Sequence, residues 1–301
     1  EESAYVSSEW ALESEPGEES SAYSTNTKDM YYIDAEKAES EQPEAGDKKR
    51  GTILIVEDNK EIANYLSKGL VDLFNTFEAS HGEEALNILK EQEIDIVITD
   101  VMMPVMDGIK LCKNIKQNIR TCHIPVIILS AKTELKDQME GLHVGADDYI
   151  PKPFSLSVIT AKVQNMLRTR RRTLDRYAKS LEVEPEKITF NVMDEELLKR
   201  AVAVVEKNMD NIEFSADDFA AAMNMSRSNL HLKLKAITGE ATIDFIRKIR
   251  FNEACKLLKE GRYTVSEVST MVGFNTPSYF ATSFKKYFGY LPTEYVKKNK
   301  G

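Results

Sequence analysis

The sequence predicts a doubly wound α/β domain of the (βα)5 kind, followed by an all-α domain with two helix-turn-helix units. Three observations carry this expectation. From Gly51 onward, short apolar runs alternate with amphipathic stretches. Beyond Arg172 the strand signals vanish and a helical pattern repeats itself. The chain has 301 residues, 42% of them hydrophobic, enough for about two cores of ordinary size.

In the α/β part, strands are expected at Thr52–Val56, Thr76–Ala79, Ile94–Thr99, Ile124–Leu129 and Asp148–Ile150. The helices between and after them are Lys60–Val71, Glu83–Lys90, Ile109–Gln117, Glu134–Val144 and Leu156–Leu167. Continuous runs such as Ile-Leu-Ile-Val suit central parallel strands covered on both faces. Strict alternation of strand and helix implies a doubly wound sheet.

A basic stretch at Arg168, Arg170, Arg171 and Arg172 reads as a solvated helix end, with contact to a nucleic acid as the alternative, and a loop follows around Pro185. The first helical unit then runs Ala216–Met223, turns at Asn224 and Met225, and resumes over Ser226–Ile237. Ser226 is a good N-cap, and Phe219, Leu230, Leu234 and Ile237 form the buried stripe. In the second unit Val265, Val268 and Met271 precede a turn at Gly273, and Thr276 or Asn275 caps a helix carrying Phe280, Phe284 and Tyr287. Leu230, Leu234, Ile237 and Gly239 thus recur 50 residues later as Phe280, Phe284, Tyr287 and Gly289, an internal repeat. Between the units, Thr242–Lys259 reads as one amphipathic helix. Its length of about 27 Å is comparable with the roughly 34 Å between successive major-groove openings on one face of DNA.

Four segments follow: an acidic disordered linker over 1–50, the α/β domain over 51–170, an interdomain linker over 171–189 and the helical domain over 190–301. Residues 1–50 carry net charge −9 and no apolar period, so they cannot offset the entropy of ordering. The α/β stretch to residue 153 carries −7, and residues 187–301 carry +4, a sign that suits a nucleic-acid partner for the helical domain. No apolar run approaches the roughly 18 residues that span a bilayer, so a soluble, cytoplasmic segment without membrane contact is expected. Cys112, Cys122 and Cys255 form no CxxC pair, and the adjacent Cys122 and His123 lack zinc-site spacing.

Doubly wound sheets collect their chemistry where strands end. Here the first strand ends in Glu57-Asp58, the third in Asp100 and the fourth in Ser130, and the fifth leads into Lys152. Capping would explain any one of these acids. Three carboxylates converging on one crevice make sense around a hard cation such as Mg²⁺. With Lys152 the formal charge then sums to zero, and an incoming phosphoryl group meets two cations.

The stretches ILIVEDN, DIVITDVMMPVMDG, PVIILSA and GADDYIPKPF closely resemble the CheY-like receiver domains of response regulators, across residues 51 to about 170. By that resemblance Asp100 is the phosphoacceptor; Glu57, Asp58 and the backbone carbonyl of Met102 bind Mg²⁺ with it. Ser130 is then the switch hydroxyl, Lys152 the phosphate-binding cation and Tyr149 the switch aromatic, while Pro104 and Gly108 fit the loop after the acceptor strand. Phosphate on Asp100 would draw in Ser130, let Tyr149 turn inward and reshape the surface of the fourth and fifth predicted helices, a candidate homodimer interface.

The tail GFNTPSYFATSFKKYFGYLPTEY resembles the AraC/XylS-type DNA-binding domain, over residues 190–298. The resemblance implies double-stranded DNA as partner. It sets Ser228, His231 and Leu232 of the first recognition helix, and Ser278, Tyr279 and Thr282 of the second, toward base edges. Arg227, Asn229, Lys233, Lys285 and Lys286 are expected toward phosphates or solvent. Leu232 and Thr282 stand where many members of that family carry arginine, so reading through thymine methyls, water or DNA shape is expected.

The combination resembles the C-terminal part of hybrid two-component regulators, in which a histidine kinase of the same polypeptide or its dimer partner is the phosphodonor. The expected activity is regulation, with no enzymatic turnover by this segment. The competing reading is a Mg²⁺-dependent aspartyl-phosphate enzyme with a helical docking module. No second acid is placed near Asp100 as a general base or acid, which disfavours it.

Overall fold

The structure, a computed structural model, describes residues 51–130 and 145–299. The acidic segment 1–50 and the predicted helix Glu134–Val144 lie outside the described residues.

Five parallel strands form one sheet: β1 (Thr52–Val56), β2 (Asn75–Ala79), β3 (Ile96–Asp100), β4 (Val126–Ser130) and β5 (Asp148–Pro151), in spatial order β2-β1-β3-β4-β5. Order 2-1-3-4-5 turns back beside β1, so the C-terminal ends of β1 and β3 open on a shared crevice. β3 and β4 are buried along their whole length, as their unbroken apolar runs require. Helices α1 (Lys60–Leu70), α2 (Gly82–Glu91) and α3 (Gly108–Gln117) follow the first three strands. Asn59, His81 and Asp107 cap them, each side chain accepting from a backbone N–H of the first turn.

After β5 comes α4 (Leu156–Lys179), a helix of 24 residues. Here the sequence expectation needs correction. The helix does not end near Leu167 but runs on through the basic stretch and into the segment read as a linker. Ile159 and Val163 are buried near its start, whereas Tyr177 enters the core of the helical part. No proline or glycine interrupts residues 156–179, and that distant burial of Tyr177 rewards propagation. Arg170 is correspondingly not solvated: its guanidinium donates to the Ala236 carbonyl at 2.9 Å.

The remaining elements are helical: α5 (Pro185–Ile188), α6 (Val192–Lys207), α7 (Ala216–Ala222), α8 (Arg227–Thr238), α9 (Thr242–Glu260), α10 (Val265–Met271), α11 (Pro277–Phe288) and α12 (Pro292–Asn299). Pairs α7–α8 and α10–α11 are the two helix-turn-helix units, joined by α9. The repeat extends to backbone detail. Asn224 and Gly273 take left-handed φ values of 55° and 71° in the two turns, and the next amides, Met225 and Phe274, donate to Ala220 and Ser269 at 2.9 and 3.0 Å. Both units open on capping boxes, Ser215 with Asp218 and Thr264 with Glu267. A Cβ at Gly273 would lie 2.4 Å from the Met209 carbonyl oxygen, so glycine is required there for space as well as for φ.

Among the described residues, no helix is long and apolar enough to cross a membrane.

Candidate functional site

β1 and β3 are neighbours in the sheet, so the residues that end them face one crevice. Glu57 and Asp100 are 3% and 9% exposed, Asp58 is exposed, and their carboxylate oxygens lie within 4.8 Å of one another. Lys152, delivered by the end of β5, places its ammonium 2.9 Å from Asp100 Oδ2 and 3.1 Å from Glu57 Oε2. One cation thus bridges two buried anions. Burial first, and the charge of Asp100 second, hold the Glu57 carboxyl above its ordinary range despite that lysine. Burial alone would lower the Lys152 ammonium, but its hydrogen bond to Asp100 and the two carboxylate charges outweigh burial and hold it above its ordinary value.

The backbone fixes Asp100. Its Oδ1 accepts from the Val101 N–H at 2.7 Å, and its carbonyl accepts from the Thr99 hydroxyl at 3.0 Å. Gly108 closes the following loop, donating to the Val101 carbonyl at 3.0 Å. A Cβ there would lie 1.9 Å from the Asp100 carbonyl oxygen, so only glycine lets α3 start this close to the site. Ser130 is buried at the end of β4, and its carbonyl accepts from the Lys152 N–H at 2.7 Å. Tyr149 is half-buried against the sheet core, in register with Ile128, and Met102 is an exposed residue of the loop after β3. Asn59 and Thr99 escaped the sequence reading. Asn59 caps α1 while its N–H donates to Glu57 Oε1 at 3.3 Å, so the Asx cap itself was the available signal.

Hard oxygen donors at this spacing suit a small divalent cation completed by water, and Lys152 already pairs with the two buried carboxylates.

On the helical domain, Ser228 and Leu232 of α8 and Ser278, Tyr279 and Thr282 of α11 are exposed. Thr282 Oγ1 donates back to the Ser278 carbonyl at 2.9 Å. His231 is half-buried, its Nδ1 3.5 Å from Thr242 Oγ1. Arg227 is exposed and pairs with Asp217 at 3.1 Å; Asn229 is half-buried in the first turn of α8; Lys285 and Lys286 are exposed in the last turn of α11. Lys233 is the exception. Expected at phosphates or in solvent, it is 2% exposed and pairs with buried Asp194 of α6 at 2.6 Å. It lies on the face of α8 turned inward, beside Leu234 and Leu230, where its long stem packs and its charge finds a partner.

Residues 53–164 match the family model of the response regulator receiver domain, and residues 219–298 that of a helix-turn-helix domain. Histidine kinase P4 of Formosa agariphila is 37% identical over 252 residues, which cover 84% of this chain and 18% of that protein. The alkaline phosphatase synthesis transcriptional regulatory protein PhoP of Bacillus subtilis is 39% identical over 117 residues, covering 38% of this chain and 48% of that protein. The chain therefore spans less than half the length of each of these relatives. Among solved structures, the signal receiver domain of a signal transduction histidine kinase from Syntrophus aciditrophicus is 37% identical, covers 40% of this chain and 91% of that one, and has a TM-score of 0.38. The two matched domains fit a regulator. The chain joins a response regulator receiver domain to a helix-turn-helix domain of the AraC type, the architecture of a two-component response regulator acting in transcription.

Proposed function

We propose that this segment is a phosphorylation-dependent, sequence-specific DNA-binding regulator of a two-component phosphorelay, with Asp100 as phosphoacceptor. The observation that carries the reading is the set of three carboxylates within 4.8 Å, two of them bridged by the Lys152 ammonium. A carboxylate oxygen of Asp100 attacks the phosphorus of a kinase phosphohistidine. The P–N bond breaks, an O–P bond forms, and the departing imidazole takes a proton from water. Glu57, Asp58, Asp100 and the Met102 carbonyl would hold Mg²⁺, which when bound neutralises phosphoryl charge. Lys152 supplies the second positive charge, already fixed by its two ion pairs. Ser130 and Tyr149, on neighbouring strands, form the switch that reports the new charge to the first half of α4, a dimerising surface on this reading.

The donor on this reading is a histidine kinase of the same full-length hybrid protein or its dimer partner, which the likeness to a histidine kinase over both domains supports. Such a role would set the segment in the cytoplasm. Residues 51–170 then form the phosphoacceptor domain and 190–301 the DNA-binding domain, with 171–189 connecting them largely as helix. Ser228, His231, Leu232, Ser278, Tyr279 and Thr282 read bases, and Arg227, Asn229, Lys285 and Lys286 position the domain on phosphates.

The test is labelling by acetyl phosphate in Mg²⁺ followed by peptide mapping. The label is expected on Asp100 and absent from Asp100→Ala. Label persisting elsewhere in the receiver of that variant would refute the assignment.

A further inference from the structure

The loop between α3 and β4 reaches the first recognition helix. Cys122 Sγ lies 3.3 Å from Asp194 Oδ1 of α6 and 3.2 Å from Lys233 Nζ of α8, and His123 Nδ1 lies 3.2 Å from the same Nζ. The Lys233 ammonium has three protons and meets three acceptors: Asp194, Cys122 and His123. The receiver loop supplies two of them. Asn191 closes the edge, donating to the Cys122 carbonyl at 3.2 Å and to Asp194 Oδ2 at 2.6 Å. Cys122 is 1% exposed in this arrangement.

The geometry makes a demand on His123. To accept from Lys233, Nδ1 must be bare, so the ring is neutral with its proton on Nε2. The charged groups around it are Lys233 on α8, Arg170 on α4, Lys116 on α3 and Asp194 on α6. Asp194 is already committed to Lys233, and Lys116 to Asp147 at 2.6 Å. A proton on His123 would therefore face cations without a spare anion.

We propose that this contact is an acid-sensitive latch, in which the receiver loop holds the first recognition helix only while His123 is neutral. The latch rests on the reading above solely for the meaning of α8 as a recognition helix. Burial, then the charges of Lys233, Arg170 and Lys116, push His123 from 6.5 down to about 2 in the latched form. Because the latched value is depressed, latching is fully present above 6.5, the value of the free ring, and is lost as pH falls below it. Between about pH 7.5 and about pH 5.5 the latching equilibrium constant falls about tenfold.

Cys122 is the reporter, and Cys112 and Cys255, buried in the two cores, are the references. Alkylation of the whole chain by iodoacetamide is followed by peptide mass spectrometry. Each rate is normalised to the same cysteine in denaturant at the same pH, which cancels thiolate ionisation. The Cys122 rate is expected to rise about tenfold over that pH range, with Cys112 and Cys255 unchanged. His123→Asn offers Oδ1 in place of Nδ1 but cannot titrate, so its Cys122 rate stays slow and flat. A flat response in the unaltered chain, an acid rise that survives in His123→Asn, or all three cysteines rising together would overturn the latch. Neither phosphodonor nor DNA is needed, so Asp100→Ala must show the same acid response. Failure of phosphoryl labelling and failure of the latch are thereby told apart.

Discussion

The Lys152 ammonium stands 2.9 Å from an oxygen of Asp100 while also bonding Glu57 at 3.1 Å, so the cation a phosphoryl group would need is already stationed against its acceptor. Two buried carboxylates depend on it. Lys152→Met leaves them facing each other, and the protein is expected to lose about 1–3 kcal/mol of unfolding free energy without divalent ions. Added Mg²⁺ should restore part of that loss in thermal melts. An unchanged melting temperature in chelator would contradict the bridging role.

Glu57 titrates above its ordinary value of 4.5, because burial and then the Asp100 charge disfavour its carboxylate. The sign of the linkage is set by that direction. Stability contributed by Glu57 is fully present below 4.5 and is lost as pH rises through the raised value. Glu57→Gln, which cannot titrate but can still accept from Lys152, is thus expected to be more stable than the unaltered chain at about pH 7.5, with the advantage shrinking toward about pH 4.5. The same variant should lose the stabilisation that Mg²⁺ confers. Urea titrations at the two pH values check both, and an advantage that grows in acid would reverse the assignment.

Gly108 has no room for a methyl group. With a Cβ 1.9 Å from the Asp100 carbonyl oxygen, Gly108→Ala must push α3 or β3 aside, at an expected cost of about 3 kcal/mol. Phosphoryl labelling should fall as well, since Asp100 moves with its carbonyl. Denaturant melts and acetyl phosphate labelling measure the two effects, and full labelling with native stability would show that the loop yields freely.

On the DNA face, base-reading and phosphate-positioning residues should fail differently. Leu232→Ala and Thr282→Ala are expected to cost about 1–3 kcal/mol on the preferred duplex and to relax its sequence preference. Lys285→Ala and Lys286→Ala should weaken all duplexes alike and reduce the slope of log K against log salt by about one each. Titrations at several salt concentrations separate them, and a lysine variant that alters sequence preference would reassign that residue to base readout.

Much of the fold was legible because alternation and strand-end chemistry are local signals. Glu57, Asp58, Asp100 and Lys152 could be placed together from sequence since a doubly wound sheet sends the ends of its strands to one crevice. The duplicated turn was legible from Gly273 and the apolar spacing around it. What escaped depended on partners far along the chain. The second half of α4 continues because Tyr177 finds a buried seat where its hydroxyl donates to Glu240 at 2.9 Å and the Lys248 ammonium covers its ring. Nothing near residue 177 announces those partners. Lys233 reads as a surface lysine until Asp194, Cys122 and His123, which lie 39 to 111 positions away, are brought around it.

The most direct measurement compares the affinity of the whole chain for its preferred duplex, selected from a random pool, before and after phosphorylation at matched salt. Coupling between Asp100 and the recognition helices should tighten binding by about 5- to 150-fold, and Asp100→Ala should show no change on the same treatment. Equal affinity of the phosphorylated and unmodified chains, with Asp100 quantitatively labelled, would contradict the account.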